Sequence, residues 1–582
     1  MAFNFSSLRR ARVRFLPLFA VAFCSFTLTA LAQEPVNSPT PSPTPVVAEP
    51  DDGIALPVAP LPADPPPVAP DFTAPVRPMP SVERVGVDTA AQLSLTLDDA
   101  VQRALANNND IDISRQGREI SEFRLLGARG VYDPLIAAEG YYERATTPTA
   151  SVIGGAVNGA VTQTRFFGTG GVSGFSPWFG GSYSARLDAS RSTTSNTNSL
   201  LNPQYPSLLT FSYVQPLLRG LRIDNNRRQI EISRRNINIS QSQLKQRAIE
   251  TVWGVERAYW DLVFALRNLQ VQIDSVRQAR EQLESNQRQV DRGILAPIEV
   301  VAANAQITTL EQGVYTAQAQ VTLAENALKT LILPDRSAAE WDQPITPVSP
   351  IERDAPGIGL EVSLAEAIRN RPELAQLLES AAINEVDQEF FKNQTKPQLD
   401  LVGSYTSQGL AGALTERAIQ NPIPGVPTNL VGGIGTSFGN LFQQDYPTFR
   451  VGVTLGLPLG NRVAKANLGI ARVEGDRLKN LQAQAEQIIE AEVRNALQAL
   501  RSAEATLAAA RASRISAEQL AESETRQFRA GTTTFYLVQQ RQNELTIARS
   551  RELQAQTDLN KAIAEFYRVI GTTLDVNNIE LR

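Results

Sequence analysis

Carboxylates, hydroxyls and glycines are the chemistry this chain can offer. Among its 582 residues there is no histidine, and Cys24 is the single cysteine. That removes His–Asp catalytic pairs, Cys/His zinc sites and any disulfide framework. The paired acids Asp98 and Asp99 fall in an amphipathic pattern, where a solvated face is the default. Gly168-Thr169-Gly170-Gly171 is glycine-rich but lacks the strand-to-helix context in which backbone amides cradle a phosphate. The sequence therefore nominates no catalytic residue, no cofactor-binding residue and no metal ligand, and an enzyme is not expected. A net charge of −5 argues against a nucleic-acid partner, which calls for a basic footprint. With 42% hydrophobic and 20% charged residues the chain is a folded one, left with transport, structure or binding.

Two glycines stand out instead, because each interrupts a long helical pattern. Gly293 lies in Arg292-Gly293-Ile294-Leu295-Ala296-Pro297 and Gly531 in Arg529-Ala530-Gly531-Thr532-Thr533. A glycine after a basic last turn is a helix stop. Upstream of the first, Val252, Val255, Tyr259, Leu262, Leu266, Leu269, Ile273 and Val276 recur at alternating spacings of three and four, a heptad seam. Upstream of the second, Ile489, Val493, Ala496, Leu500, Ala503, Leu507 and Ala510 do the same. Downstream of Gly531 the pattern returns at Leu545, Ala548, Ala555, Leu559, Ala562, Phe566 and Val569. Each glycine is thus the expected turn of a helical hairpin. At about 1.5 Å per residue its leading arm, roughly 65 residues, is a rod on the order of 100 Å long.

The two hairpins belong to a tandem duplication. Val255, Ala258, Leu262, Arg288, Gly293 and Val300 match Val493, Ala496, Leu500, Arg526, Gly531 and Val538 at a constant offset of 238. Leu97-Asp98-Asp99-Ala100-Val101 matches Leu364-Ala365-Glu366-Ala367-Ile368, and Gln215-Pro216-Leu217 matches Leu457-Pro458-Leu459. The expected layout is repeat 1 over 92–333, with a helix, strands within 135–217 and a hairpin over 226–332. A Pro-rich linker at 334–360 follows. Repeat 2 spans 361–574, with a helix, strands within 398–457 and a hairpin over 462–570, and 575–582 form a tail.

The strands show period two. In Thr448–Leu457 every second residue is apolar; Leu209, Phe211 and Tyr213 alternate with Thr210 and Ser212, and Leu399, Leu401 and Tyr405 with polar neighbours. About four such strands per chain fit transmembrane barrel strands, and four cannot close a barrel alone. Open edges are not tolerated in lipid, so the barrel has to be shared between subunits. Thr146 to Pro206, rich in Gly, Ser, Thr and Asn, reads as an elaborated external loop or hairpin, with additional barrel strands as the second reading.

Residues 1–32 read as a signal peptide: Arg9, Arg10, Arg12 and Arg14, an apolar run from Phe15 to Leu31, and Ala30-Leu31-Ala32 before Gln33. An anchor helix is the alternative, and Phe23 before Cys24 disfavours lipidation there. Cleavage removes four arginines and takes the net charge to −9. Residues 33–91 form a Pro-rich disordered spacer, with 16 of the 36 prolines between Pro35 and Pro80. A ligand for a proline-binding module is the competing reading of that stretch. Downstream no uninterrupted apolar stretch reaches 18 residues, so helical membrane spans are not expected.

Three stretches then carry a resemblance: Asn370-Arg371-Pro372-Glu373-Leu374, Gln215-Pro216-Leu217-Leu218-Arg219-Gly220, and Arg526-Gln527-Phe528-Arg529-Ala530-Gly531, the last continuing into Tyr536-Leu537-Val538 and Gln542-Asn543-Glu544-Leu545. In their order and duplication, over Leu93 to Leu574, the chain resembles the TolC-like outer-membrane efflux protein family. The resemblance implies an α+β membrane protein: a long antiparallel α-helical coiled-coil barrel in the periplasm under a transmembrane β-barrel shared by a homotrimer, twelve strands in all. It implies a passive exit duct of a tripartite efflux or type I secretion system, in contact with outer-membrane lipid. The partners would be a periplasmic adaptor (membrane fusion) protein and an inner-membrane pump. It puts adaptor docking at the hairpin tips, Gly293, Ile294, Gly531 and Thr532. The entrance gate would comprise Glu299, Phe528, Thr533, Leu537 and Gln540.

The chain departs from the family there. The best-known members carry carboxylates just past the second turn, but six and nine residues after Gly531 stand Leu537 and Gln540, and a gate-locking arginine is replaced by Thr533. Glu299, six residues after Gly293, is the one acid kept. The long Pro-rich spacer is a second departure. The competing reading is a non-conducting, trimeric, periplasm-spanning coiled coil, a structural or adaptor protein of the envelope. Strand sets in both copies would discriminate, since an adaptor has no need of them.

Overall fold

A computed structural model of the chain describes residues 78–580, apart from 82, 89–90, 151–153, 157 and 421–424. All of them belong to one compact unit, residues 68–582. The expected signal peptide and most of the Pro-rich spacer lie outside the described residues.

The first repeat runs β1 (Leu93–Leu95), α1 (Leu97–Asn107), α2 (Asn109–Arg129), β2 (Leu135–Pro148), β3 (Ala160–Phe175), β4 (Ser182–Thr194), β5 (Leu201–Pro216), α3 (Asn225–Asp291) and α4 (Ile298–Ile332). The connector supplies β6 (Ile345–Pro347). The second repeat runs α5 (Leu360–Asn370), α6 (Pro372–Gln394), β7 (Gln398–Leu414), α7 (Glu416–Gln420), α8 (Ile434–Gln443), β8 (Pro447–Gly456), α9 (Arg462–Arg529) and α10 (Phe535–Ile570), and α11 (Thr573–Val576) closes the chain.

The helices α1, α2 and α3 begin where side chains satisfy their free amides. Thr96 Oγ1 accepts from the Asp99 amide at 3.0 Å, Asn108 Oδ1 from Asp110 at 2.9 Å, and Asp224 Oδ1 from Arg227 at 2.8 Å. The long arms are held by their seams. Val252, Val255, Tyr259 and Leu262 of α3 are fully buried with Leu328 and Ile332 of α4 in one core, which takes in α1, β1 and β6. Ile489, Val493 and Leu500 of α9 pack with Leu559, Phe566 and Val569 of α10 in a second core. Each such side chain removed from water contributes about 1.5–3 kcal/mol. One core thus serves each repeat.

The repeats are tied together by polar links between α3 or α4 and α10. Lys561 Nζ reaches Asp261 Oδ1 at 2.9 Å, Ser550 Oγ donates to Asn268 at 2.8 Å, and Gln306 Nε2 donates to Asn543 at 2.7 Å. The connector is more than a linker: β6 pairs in parallel with β1, Leu93 opposite Ile345, and Tyr259 Oη donates to the Leu95 carbonyl across that pair. The last residues of the spacer lie along the first hairpin. Arg280 donates to the Pro78 carbonyl at 2.8 Å, Gln318 to Glu83 at 2.5 Å, and Arg84 pairs with the buried Glu325.

All the remaining strands form a single antiparallel sheet of six, in the order β2-β3-β4-β5-β7-β8. The expectation of about four strands, and of an external loop or hairpin over 146–206, is corrected here in favour of the second reading, additional strands. β3 and β4 pair residue for residue through Gly168↔Ala189 and Gly170↔Leu187, so the glycine-rich stretch is strand, not loop. Glycine at those places removes side chains without removing ladder hydrogen bonds, which is why its composition looked loop-like. Among the described residues, nothing pairs with β2 or β8 on its outer edge.

Candidate functional site

The two hairpin turns are built alike. In the first, the Gly293 amide donates to the Val290 carbonyl at 2.8 Å and the Ile294 amide to Gln289 at 2.9 Å. In the second, Gly531 donates to Phe528 and Thr532 to Gln527, both at 3.0 Å. This is the Schellman closure, which satisfies the last carbonyls of a helix and needs a left-handed residue. Gly293 has φ +71° and Gly531 φ +76°, and neither faces another atom where a Cβ would stand. The glycines are therefore there for backbone conformation. Both tips point into open space, and Ile294 is 69% exposed.

Above the second tip, Phe528 of α9 and the buried Phe535 of α10 pack with ring centres 6.0 Å apart and planes tilted by 52°. Thr533 donates its hydroxyl to Glu524, an acid that sequence reading did not single out. Leu537 is 37% exposed, and Gln540 donates to Glu544 Oε1 at 3.1 Å. Glu544 pairs with Arg541 at 2.8 Å, and that hydrogen bond holds its carboxyl below the usual range. Glu299 stands in the first turn of α4, half-buried, while Ile298 beside it is exposed. The structure brings Phe528, Thr533, Leu537 and Gln540 together near one turn, and puts Glu299 at the other. Gln306, which accepts from Gln539 at 2.7 Å and donates to Asn543, joins the two hairpins just above.

The sheet carries the second part of the site. Residues paired across strands share a face, so the register sorts the side chains. One continuous row, Ile136–Val172–Ala185–Phe211–Tyr405–Phe449, is apolar across all six strands. The same face carries Val451, Val453 and Leu455, each at least 60% exposed. The adjacent row on the opposite face, Gly171–Arg186–Thr210–Thr406–Thr448, is polar, and near it lie Glu139, Arg165, Asp188 and Gln408. Strands of 10 to 17 residues reach or exceed the roughly 9–11 that cross a bilayer at a tilt of about 45°. Trp178 and Phe179, both exposed, sit in the β3–β4 turn on the side where the long helices leave the sheet. That is the place of an interfacial aromatic girdle. No described helix is long and apolar enough to cross a membrane.

The Asn370–Leu374 stretch holds a corner of the fold. Arg371, buried at the α5–α6 corner, pairs with Glu492 of α9 and stands 3.5 Å from Glu373, while Pro372 opens α6. At the matching corner of the first repeat, Asn107 and Asn108 donate to the Ile332 and Leu331 carbonyls.

Comparison with known proteins agrees with this architecture. The family model described as outer membrane efflux protein matches residues 175–332 and 364–572, more than half of the chain. No curated protein sequence matches it significantly. Among solved structures, the outer-membrane channel OprN is similar at 16% identity with a TM-score of 0.58, over 86% of this chain and 98% of its own. The Campylobacter jejuni CmeC outer membrane channel is similar at 16% identity and a TM-score of 0.58, over 82% of this chain and 86% of its own. The open state of the Neisseria gonorrhoeae MtrE outer membrane channel gives 16% and 0.55, over 82% and 89%. Likeness at that identity shows the fold.

Proposed function

This chain belongs to the outer membrane efflux protein family, an efflux channel of the outer membrane that extends into the periplasm, and from that premise we propose how its parts conduct. Three copies join β8 of one to β2 of the next and close an eighteen-stranded barrel, six strands from each. The apolar row then faces lipid and the polar rows line a water-filled lumen, the size class in which about 16–18 strands leave an aqueous channel. The long hairpins form a duct below. Conduction is passive, and energy comes from an inner-membrane pump through a periplasmic adaptor that meets the tips at Gly293, Ile294, Gly531 and Thr532. Glu299, Phe528, Thr533, Leu537 and Gln540 form the entrance gate, with the Phe528–Phe535 contact as its apolar core.

The observation that carries this reading is the two-faced sheet with two unpaired edges. A non-conducting envelope coiled coil has no use for an apolar row on an open sheet drawn from both repeats. Native mass measurement of the detergent-purified protein tests it: a trimer is expected, with ion conductance in a planar bilayer. A stable monomer without conductance would overturn it.

A further inference from the structure

One element has no part in that account: α8, in the long connection between β7 and β8. The sheet register fixes which side it lies on. Ser207 Oγ is 2.8 Å from Ser437 Oγ, and Ser407 Oγ donates to the Leu441 carbonyl at 2.6 Å. A Cβ on Gly409 would collide with the Ser437 carbonyl. Ser207, Ser407 and Gly409 stand an even number of residues from Phe211 and Tyr405, so they share the apolar face. The helix therefore packs on the side that the barrel turns to lipid.

Its polarity is inverted relative to a helix packed on a soluble protein. Ser437, Asn440 and Leu441 are buried against the sheet, while Ile434 and Phe442 are exposed and Phe438 lies between them at helical spacing. None of its ten residues is charged. In water this arrangement would hide the polar side chains and expose the apolar ones. In lipid it is the expected one, because polar groups must be satisfied internally. They are: Asn440 Nδ2 donates to the carbonyls of Leu410 at 2.9 Å and Asn429 at 2.8 Å, which caps the edge of β7 above the first residue of β8.

Height agrees. Ser407, opposite Pro447, stands nine residues along β7 from Gln398. At about 3.4 Å per residue and a tilt near 40° that is roughly 23 Å above the periplasmic end, close to the top of an apolar band about 25 Å tall. We propose that α8 is an interfacial helix on the outside of the barrel, its Ile434–Phe438–Phe442 stripe seated in the outer-leaflet lipid as a continuation of the barrel's apolar face. Its occupant is the acyl-chain boundary of the bilayer, not a protein partner and not the lumen.

The inference rests on the barrel reading, and the test separates the two. In full-length chain with Cys24→Ser, nitroxide labels are placed singly at Ile434→Cys, Phe442→Cys, Phe449→Cys and Thr448→Cys. The protein is reconstituted in phosphatidylethanolamine–phosphatidylglycerol vesicles, and power saturation compares oxygen with a water-soluble nickel chelate. Positions 434 and 442 should behave as 449 does, with oxygen access exceeding nickel access several-fold. Nickel access like that of 448, or exclusion of both reagents, would overturn the placement of α8. If 449 and 448 fail to differ, the barrel reading itself falls.

Discussion

At the residue scale the tips depend on one backbone conformation each. Gly531 ends a 68-residue helix at φ +76°, and the amide that follows it closes the turn onto Gln527. A β-branched residue there is held in a region that costs about 1–3 kcal/mol, although the space beside it is empty. The cost is local, because the seams of α9 and α10 begin more than a turn away. Gly531→Val should therefore leave trimer yield within about twofold and cut export several-fold, while Gly531→Asn, which tolerates the left-handed region, should be milder. Drug-sensitivity titration with parallel adaptor crosslinking decides it; full export and unchanged crosslinking in Gly531→Val would count against the docking role. The glycines were legible because a helix stop has a local signature. Glu524 and Arg541 were not, since a hydrogen bond from Thr533 and an ion pair with Glu544 depend on which side chains α9 and α10 bring face to face.

At the element scale, the long arms were legible for the same reason they are stable. A heptad seam is a strong periodic signal, and the seams over Val252–Val276 and Ile489–Ala510 lie inside α3 and α9. The sheet was half legible. β5, β7 and β8 alternate apolar and polar residues, but β3 carries four glycines, and small residues blur both faces. β1 and β6 are three residues each and find one another across about 250 residues of chain, which no local pattern encodes. α8 eluded sequence reading because its polarity makes sense only beside a lipid-facing sheet. The seating of α3 yields a pH test. Glu256 is buried on α3, where its Oε1 accepts from Asn577 at 3.3 Å. Burial pushes its carboxyl above the ordinary value; Arg353 and Asn577 oppose this, and Asp98 adds to it. A raised carboxylic acid binds its proton more tightly in the folded state, so stability is fullest below the unfolded value and declines as pH rises through the window above it. Glu256→Gln keeps the acceptor and removes the charge. Its melting temperature should match wild type near pH 4 and exceed it at pH 8. An equal or lower value at pH 8 would show that Arg353 compensates the burial in full.

At the scale of the whole molecule the question is what the entrance does to ions. Attraction of a multivalent cation into a constriction depends on fixed charge there, and three copies turn each residue into a ring of three. Leu537 and Gln540 contribute none. Glu544, about 14 Å up α10 from Phe535 by the helical rise, is ionised but paired with Arg541, so its ring is close to neutral seen from the lumen. Glu299 is the remaining acid among the gate residues, and it belongs to the other hairpin. In the proposed gate, closure rests on apolar contacts, Leu537 and the Phe528–Phe535 pair, and on the Gln306 link between hairpins. The expected behaviour is weak block: a trivalent cation added to the periplasmic side of the trimer in a planar bilayer should leave conductance little changed at micromolar concentration. Arg541→Ala uncovers Glu544 and should create block in the same range, at least tenfold tighter than in wild type. Tight block of the wild-type channel would mean that Glu299, or an acid above it, rings the constriction. Unchanged behaviour in Arg541→Ala would mean that Glu544 faces neighbouring helices and not the ion path.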